Sequence, residues 1–136
     1  MTREETIELI KGAQFGFLAT IGTDDRPRVR PVGIHTIYGN DFYFFTFSNT
    51  RKCSELAAHP HVEVVWIDAK RLAQVRMRGV CTVVDDPGAK QRFKQDEPFV
   101  DKILPPGAEN LFCLYRISPE TVEATEGLVP YQTVDW

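Results

Sequence analysis

Two short polar interruptions, residues 22–27 and Gly39-Asn40-Asp41, divide the region from Phe15 to Phe47 into three β-prone runs and leave no room for a helix between them. Parallel neighbours need a crossover of a dozen or more residues, so runs joined this closely must pair antiparallel if they pair at all. The spacing therefore argues against a doubly wound parallel sheet. It predicts two successive hairpins, with strands over residues 15–21, 28–38 and 42–47.

The pattern extends to both sides of this region. Thr2 and Glu5 form a capping box, and Ile7, Leu9 and Ile10 supply an apolar stripe that stops near Gly12, which predicts a short opening helix. The unbroken aromatic character of residues 42–47 predicts a strand covered on both faces. Ser48 or Thr50 then caps a helix with Cys53, Leu56 and Ala57 on its inner side and Pro60 as its terminator. Residues 62–67 and 73–84 read as a fourth and a fifth strand. Period-two spacing puts Gln74, Arg76, Arg78 and Val80 on one side of the fifth, with Gly79 marking a bulge or a close approach. Asp85 or Asp86 followed by Pro87 opens a third helix that ends before Pro98. Residues 111–117 alternate as a sixth strand, 118–121 read as a turn, and 122–125 as a short seventh strand, with the tail from Gly127 unassigned. Closely spaced strands with helices only between some of them predict a mainly β fold, a small antiparallel β-barrel with peripheral helices, as one domain over residues 1–136.

Composition narrows the function classes. A formal net charge of -3 argues against a chain whose main work is binding a nucleic-acid backbone. Cys53, Cys81 and Cys113 are odd in number and include no CxxC pair, so they read as small core residues and not as a disulfide framework or a zinc site. His59 and His61 bracket Pro60 without a third convergent ligand, and no metal is expected. The first residues lack the apolar region of a signal peptide and no run approaches membrane-spanning length, so the expectation is a cytoplasmic chain without membrane association.

The chemistry concentrates at two places. Arg51 and Lys52 occupy the first turn of the second helix, where free N–H groups and the helix dipole already carry positive potential. Adjacent cations are unfavourable there unless an anion joins them, and with hydroxyls at Thr46, Ser48 and Thr50 the stretch reads as a cradle for a monophosphate. Arg26, Arg28 and Arg30 recur at period two around Pro27 and Pro31, so Arg28 and Arg30 share one strand face and call for solvent or a common anionic partner. The next strand is expected to pair with this one and to bring both clusters to the same ligand. Pro31 lacks an N–H and belongs at an edge or a break in the ladder, which leaves room for a flat ligand against the backbone.

Arg30-Pro31-Val32 on one strand, Phe45-Thr46 closing an aromatic strand, Thr50-Arg51-Lys52 opening a helix that ends at Pro60, and Gln74-Val75 starting a later strand form a spaced set. In that set the chain, from about Phe15 to Val84, resembles the pyridoxamine 5'-phosphate oxidase-like, FMN-binding split β-barrel proteins. The resemblance implies a six- to seven-stranded antiparallel split barrel that binds FMN. It places Arg51 and Lys52 on the FMN phosphate with Thr46 and Thr50 helping, Arg30, Pro31 and Val32 along the isoalloxazine ring, and Gln74 meeting the flavin from the fifth strand, with Phe45 also in the cofactor-binding set. His35 joins this cofactor-binding set at a position where many members carry a lysine. The resemblance further implies a homodimer with flavin sites at the subunit interface.

Within such a family, enzymes that oxidise pyridoxamine phosphate carry a C-terminal arginine and histidine, and haem-degrading relatives a C-terminal histidine. The ending EGLVPYQTVDW has neither residue type, which argues against both activities, and the intact Thr50-Arg51-Lys52 favours FMN over a deazaflavin. The expectation is an FMN-dependent oxidoreductase acting on a small molecule, in which the flavin carries hydride or electrons. The alternative is a non-catalytic flavin-binding protein for electron transfer, redox sensing or cofactor storage. A third reading, an oligonucleotide binder that uses the arginines and aromatics as a stacking platform, conflicts with the acidic net charge.

Overall fold

The computed structural model describes residues 1–136. Helix α1 (Arg3–Gly12) starts at the predicted capping box, with the Glu5 amide donating to Thr2 Oγ1 at 3.1 Å and the Thr2 amide donating to Glu5 Oε2 at 2.7 Å. Strands β1 (Gly16–Ile21) and β2 (Pro27–Val32) form the first hairpin, and β3 (Thr36–Tyr38) and β4 (Asp41–Phe47) the second, the latter turning through Gly39 at φ 62°. Helix α2 (Arg51–Ala58), β5 (His61–Asp68) and the long β6 (Ala73–Val84) follow. Helices α3 (Pro87–Asp96) and α4 (Phe99–Ile103) then lead to β7 (Phe112–Glu126) and a two-residue β8 (Gln132–Thr133). Asp86 caps α3 through the Ala89 amide at 2.8 Å, with Pro87 in the first turn.

All pairings are antiparallel, in the order β2-β1-β5-β6-β7-β4-β3, with β8 added on β7. The two ends of this path, β2 and β3, are joined by residues 33–35 alone. Four Cα steps reach at most roughly 14 Å, whereas seven strands laid flat would separate their outer members by roughly 29 Å. The sheet must therefore curl into a barrel whose last seam is closed by the chain and not by a ladder. Trp66, fully buried, fastens that seam by donating its indole N–H to the Ile34 carbonyl at 2.7 Å.

Strand count departs from the six to seven expected, and each difference has a local cause. The predicted strand over residues 28–38 is two strands, because the Ile34 carbonyl is taken by Trp66 and β2 and β3 pair with different neighbours. The predicted sixth strand, turn and seventh strand are one strand, β7, and the supposed turn is a bulge: Gly79 faces Pro119 and Arg78 faces Thr121, so Glu120 is the extra residue. Gly79 permits this approach, since a Cβ there would stand 2.4 Å from the Ser118 carbonyl oxygen. The unassigned tail contributes β8, and Trp136 stacks on Phe42 with ring centroids 5.1 Å apart while donating its indole N–H to the Asn40 carbonyl.

The alternation of β4 divides the interior. Phe42, Phe44 and Thr46 point into the main core, while Tyr43, Phe45 and Phe47 pack against a second cluster built from Phe93, Val100, Leu104, Phe112 and Leu114. The strand is covered on both sides, as its aromatic run predicts. The second cover is the chain's own α3 and α4, so it carries no sign of another subunit. No helix is long and apolar enough to cross a membrane.

Candidate functional site

The end of β4 and the start of α2 bring the first cluster together. Thr46, 7% exposed, lies on the inner side of β4, opposite Cys113. The Ser48 amide donates to the Leu111 carbonyl at 2.8 Å, and the Thr50 amide and hydroxyl both donate to the Phe47 carbonyl, at 3.1 and 2.8 Å. The Thr50 side chain thus closes the turn behind it and does not cap α2, whose first turn holds Arg51 and Lys52 and no acidic residue. Thr46 Oγ1 and Thr50 Oγ1 are 3.4 Å apart, and Lys52 Nζ donates to Thr50 Oγ1 at 3.4 Å. Arg51 is exposed, as is Ser48. None of the ion pairs in the chain involves Arg51 or Lys52.

Burial holds the Lys52 ammonium below the ordinary lysine value of 10.5; the Arg30 charge adds to this, while Cys53 and Glu55 oppose it. Lys52 and Arg30 therefore lie within electrostatic reach of each other. The juxtaposition does not arise as the sequence suggested, because β2 pairs with β1 and not with β4. It comes through α2, which lies against the inner side of β1 and β2. Arg30 donates to the Leu18 carbonyl at 3.3 Å and to Thr20 Oγ1 at 2.6 Å, and pairs with Glu55 Oε1.

Glu55 is the residue that sequence reasoning missed. It is 1% exposed, takes the inner position assigned to Ala57, and leaves Ala57 in solvent. Its Oε2 lies 3.9 Å from Arg28 Nε, while Asp24 holds the outer side of the Arg28 guanidinium at 2.9 Å. The common anion that Arg28 and Arg30 called for is thus supplied in part by the chain. The available signal was the surplus of arginine on one strand face opposite a short helix with a single carboxylate.

The remaining predicted residues fall into three environments. Val32 is buried in the core, and Pro31 faces outward from β2, which is an edge strand as a proline there requires. His35 lies in the seam beside Gly33, half-buried, and its Nδ1 is enclosed without a hydrogen-bond partner. The Phe45 ring packs on Phe93, Phe99 and Phe112, on the opposite side of β4 from Thr46, so only its backbone adjoins the cradle. Gln74 stands apart on the outer face of β6, opposite Ile67 and Thr125, where its Oε1 accepts from the Tyr131 hydroxyl. The ladder from Pro31 passes through Phe17 and Val65 to Arg76, two residues beyond Gln74. Three strand spacings and two residues put Gln74 roughly 16 Å from Pro31 along the sheet.

Elsewhere the surface offers less. The outer face of β1, β2 and β5 exposes Phe17 at 39%, Val29 at 69% and Ile67 at 45%. A cleft of about 510 Å³ is lined by Thr20, Asp25, His61, Glu63, Arg78 and Glu120 among others and contains none of the cradle residues. No three His, Cys, Asp or Glu side chains converge to hold a metal. The cysteines are free, and burial pushes the Cys81 thiol up to about 12, which makes it inert packing.

The chain is similar in sequence and in fold to other proteins. Pyridoxine/pyridoxamine 5'-phosphate oxidase of Burkholderia multivorans is 42% identical over 64 residues, a stretch that is 46% of this chain and 29% of that protein. The match thus spans less than a third of the relative's length. A Clostridium acetobutylicum protein related to general stress protein 26, of the pyridoxinephosphate oxidase family, superposes with a TM-score of 0.80 at 17% identity, over 96% of this chain and 91% of the other. A pyridoxamine 5'-phosphate oxidase-related, FMN binding protein of Nostoc punctiforme superposes with a TM-score of 0.70 at 19% identity, over 96% and 88%. At these identities the two structures establish the split-barrel fold. Residues 2–125 match the family model described as pyridoxamine 5'-phosphate oxidase, and the chain belongs to that family.

Proposed function

We propose that this protein binds FMN and is an FMN-dependent oxidoreductase acting on a small molecule. The observation that carries the reading is the convergence of Thr46, Thr50, Lys52 and Arg30 at a helix start that holds two cations and no carboxylate partner for either. A half-buried ammonium with a second cation nearby is unfavourable alone and fits a phosphate monoester. Arg51 and Lys52 would hold that phosphate, with the Thr46 hydroxyl as a further donor, the Thr50 hydroxyl being engaged by the Phe47 carbonyl. Bound flavin would supply hydride or electron transfer. The chain's part is to orient the ring along residues 30–32 and to present the Arg30 charge near its polar edge. His35 Nδ1, enclosed and unpaired, is suited to a ligand partner in the seam.

Gln74 lies too far from Pro31 to meet the same ring within one chain. A homodimer that packs the exposed Phe17, Val29 and Ile67 faces together would bring the second copy of this glutamine across the interface. The test is the absorption spectrum of the purified protein, with identification of any cofactor released on denaturation and sedimentation analysis of the assembly. A colourless protein that takes up no FMN overturns the reading, and a monomer that binds FMN fully overturns the dimer. Steady-state oxidation of a nicotinamide cofactor with a panel of acceptors then separates turnover from flavin storage.

The depressed Lys52 pKa gives a further expected result. A lysine lowered in the folded protein is deprotonated over part of the range below 10.5, and folding is favoured as pH rises through its folded value because the unfolded chain still binds the proton. A phosphate beside Lys52 restores the charge. FMN binding in that alkaline range should therefore take up a proton, seen as a dependence of calorimetric heat on buffer ionisation enthalpy. Riboflavin should show no such uptake, and equal uptake with both ligands would remove Lys52 from the phosphate.

A further inference from the structure

Glu55 and Leu56 are the buried residues of α2, so the helix that carries the cradle is seated on the barrel through one apolar side chain and one carboxylate. Glu55 Oε1 accepts from Thr20 Oγ1 at 3.0 Å and from the Arg30 guanidinium, and its Oε2 faces Arg28. Lys52 lies one turn earlier on the same helix. The group therefore contains Arg28, Arg30, Arg51 and Lys52 against Glu55 within and Asp24 at the rim. It keeps a positive excess that a phosphate can use, but a smaller one than the cations alone would give.

We propose that Glu55 is the internal counter-charge of the cradle, a positioning residue that fixes Arg30 and sets how strongly the site selects a phosphorylated flavin over the unphosphorylated one. This rests on the phosphate reading of Thr46 to Lys52. A carboxylate beneath the cradle opposes an incoming phosphate while stabilising the unliganded protein, where the cations would otherwise repel one another. Its removal raises the attraction for the phosphate, while any change in how Arg30 meets the ring falls on FMN and riboflavin alike and cancels in the ratio of their affinities. A residue serving only to staple α2 to β1 would affect FMN and riboflavin alike.

Glu55→Gln separates charge from shape, because both hydrogen bonds use Oε1 and an amide oxygen can accept them. The ratio of FMN to riboflavin affinity, measured by flavin fluorescence titration, is expected to rise by about fivefold or more, with a lower melting temperature for the unliganded protein. Arg28→Gln, which removes a cation outside the cradle, should lower the ratio. The double variant restores the local net charge and should return the ratio to within about twofold of the original. An unchanged or reduced ratio in Glu55→Gln, or a double variant that fails to restore it, overturns the inference. If Glu55→Gln does not fold, Arg28→Gln decides, and an unaltered ratio there has the same force. A wild-type protein that binds FMN no better than riboflavin refutes the cradle itself, whereas a phosphate preference shared by all variants refutes only the role of Glu55.

Discussion

Replacing Arg51 and Lys52 together with alanine is expected to weaken FMN binding by at least about a hundredfold and riboflavin binding by no more than a few-fold. Each charge-assisted hydrogen bond to a phosphate contributes about 1.5–3 kcal/mol, and two of them reach that loss even when the exposed Arg51 is taken at the low end. Lys52 should carry the larger share, because its ammonium is half-buried and sits against Thr50 while Arg51 is in solvent. Fluorescence titration of the two single variants and the double variant with both flavins measures this directly. Equal losses for FMN and riboflavin would mean that the phosphate lies elsewhere.

The second large effect concerns the seam. Trp66→Ala is expected to cost about 3–5 kcal/mol, since it removes a fully buried aromatic that stacks on Phe42 at 5.3 Å. For a chain of this size that is a fall of roughly 10 °C or more in melting temperature. Trp66→Phe keeps most of the ring and loses the bond to the Ile34 carbonyl, so it isolates that bond at about 1–3 kcal/mol. Because Ile34 lies in the link that carries His35, amide exchange across residues 33–36 should quicken in Trp66→Phe beyond the change in global stability. A Trp66→Phe protein with unaltered stability and exchange would show that the carbonyl finds another partner.

Local signals were legible wherever one residue's chemistry decides its own backbone. The Thr2-Glu5 box, the Asp86-Pro87 start and the turn at Gly39 each stand where the sequence puts them. Features that depend on a distant partner were not. Ser118-Pro119 reads equally as a turn or as a bulge until Gly79 is known to lie opposite. Glu55 looks like any exposed helix carboxylate, and only the two arginines of β2 make its burial favourable. Within the site, the cations and hydroxyls of the cradle were readable because they adjoin in sequence. The outward placement of Gln74 and the turning of Phe45 toward α3 and α4 were not, since each depends on which side of a curled sheet a strand presents.

The seam closed by residues 33–35 leaves β2 with a free edge, and open edges invite strands from other molecules to add on. Proline fits an edge strand where its nitrogen points away from the ladder, so Pro27 and Pro31 direct their backbone outward, together with Val29 at the same parity. Of those three outward positions, two have no proton to donate. A stray strand would find one donor there and could not zip on. The open edge is in this way barred to aggregation, and a variant that replaces both prolines with good strand formers would leave it unguarded.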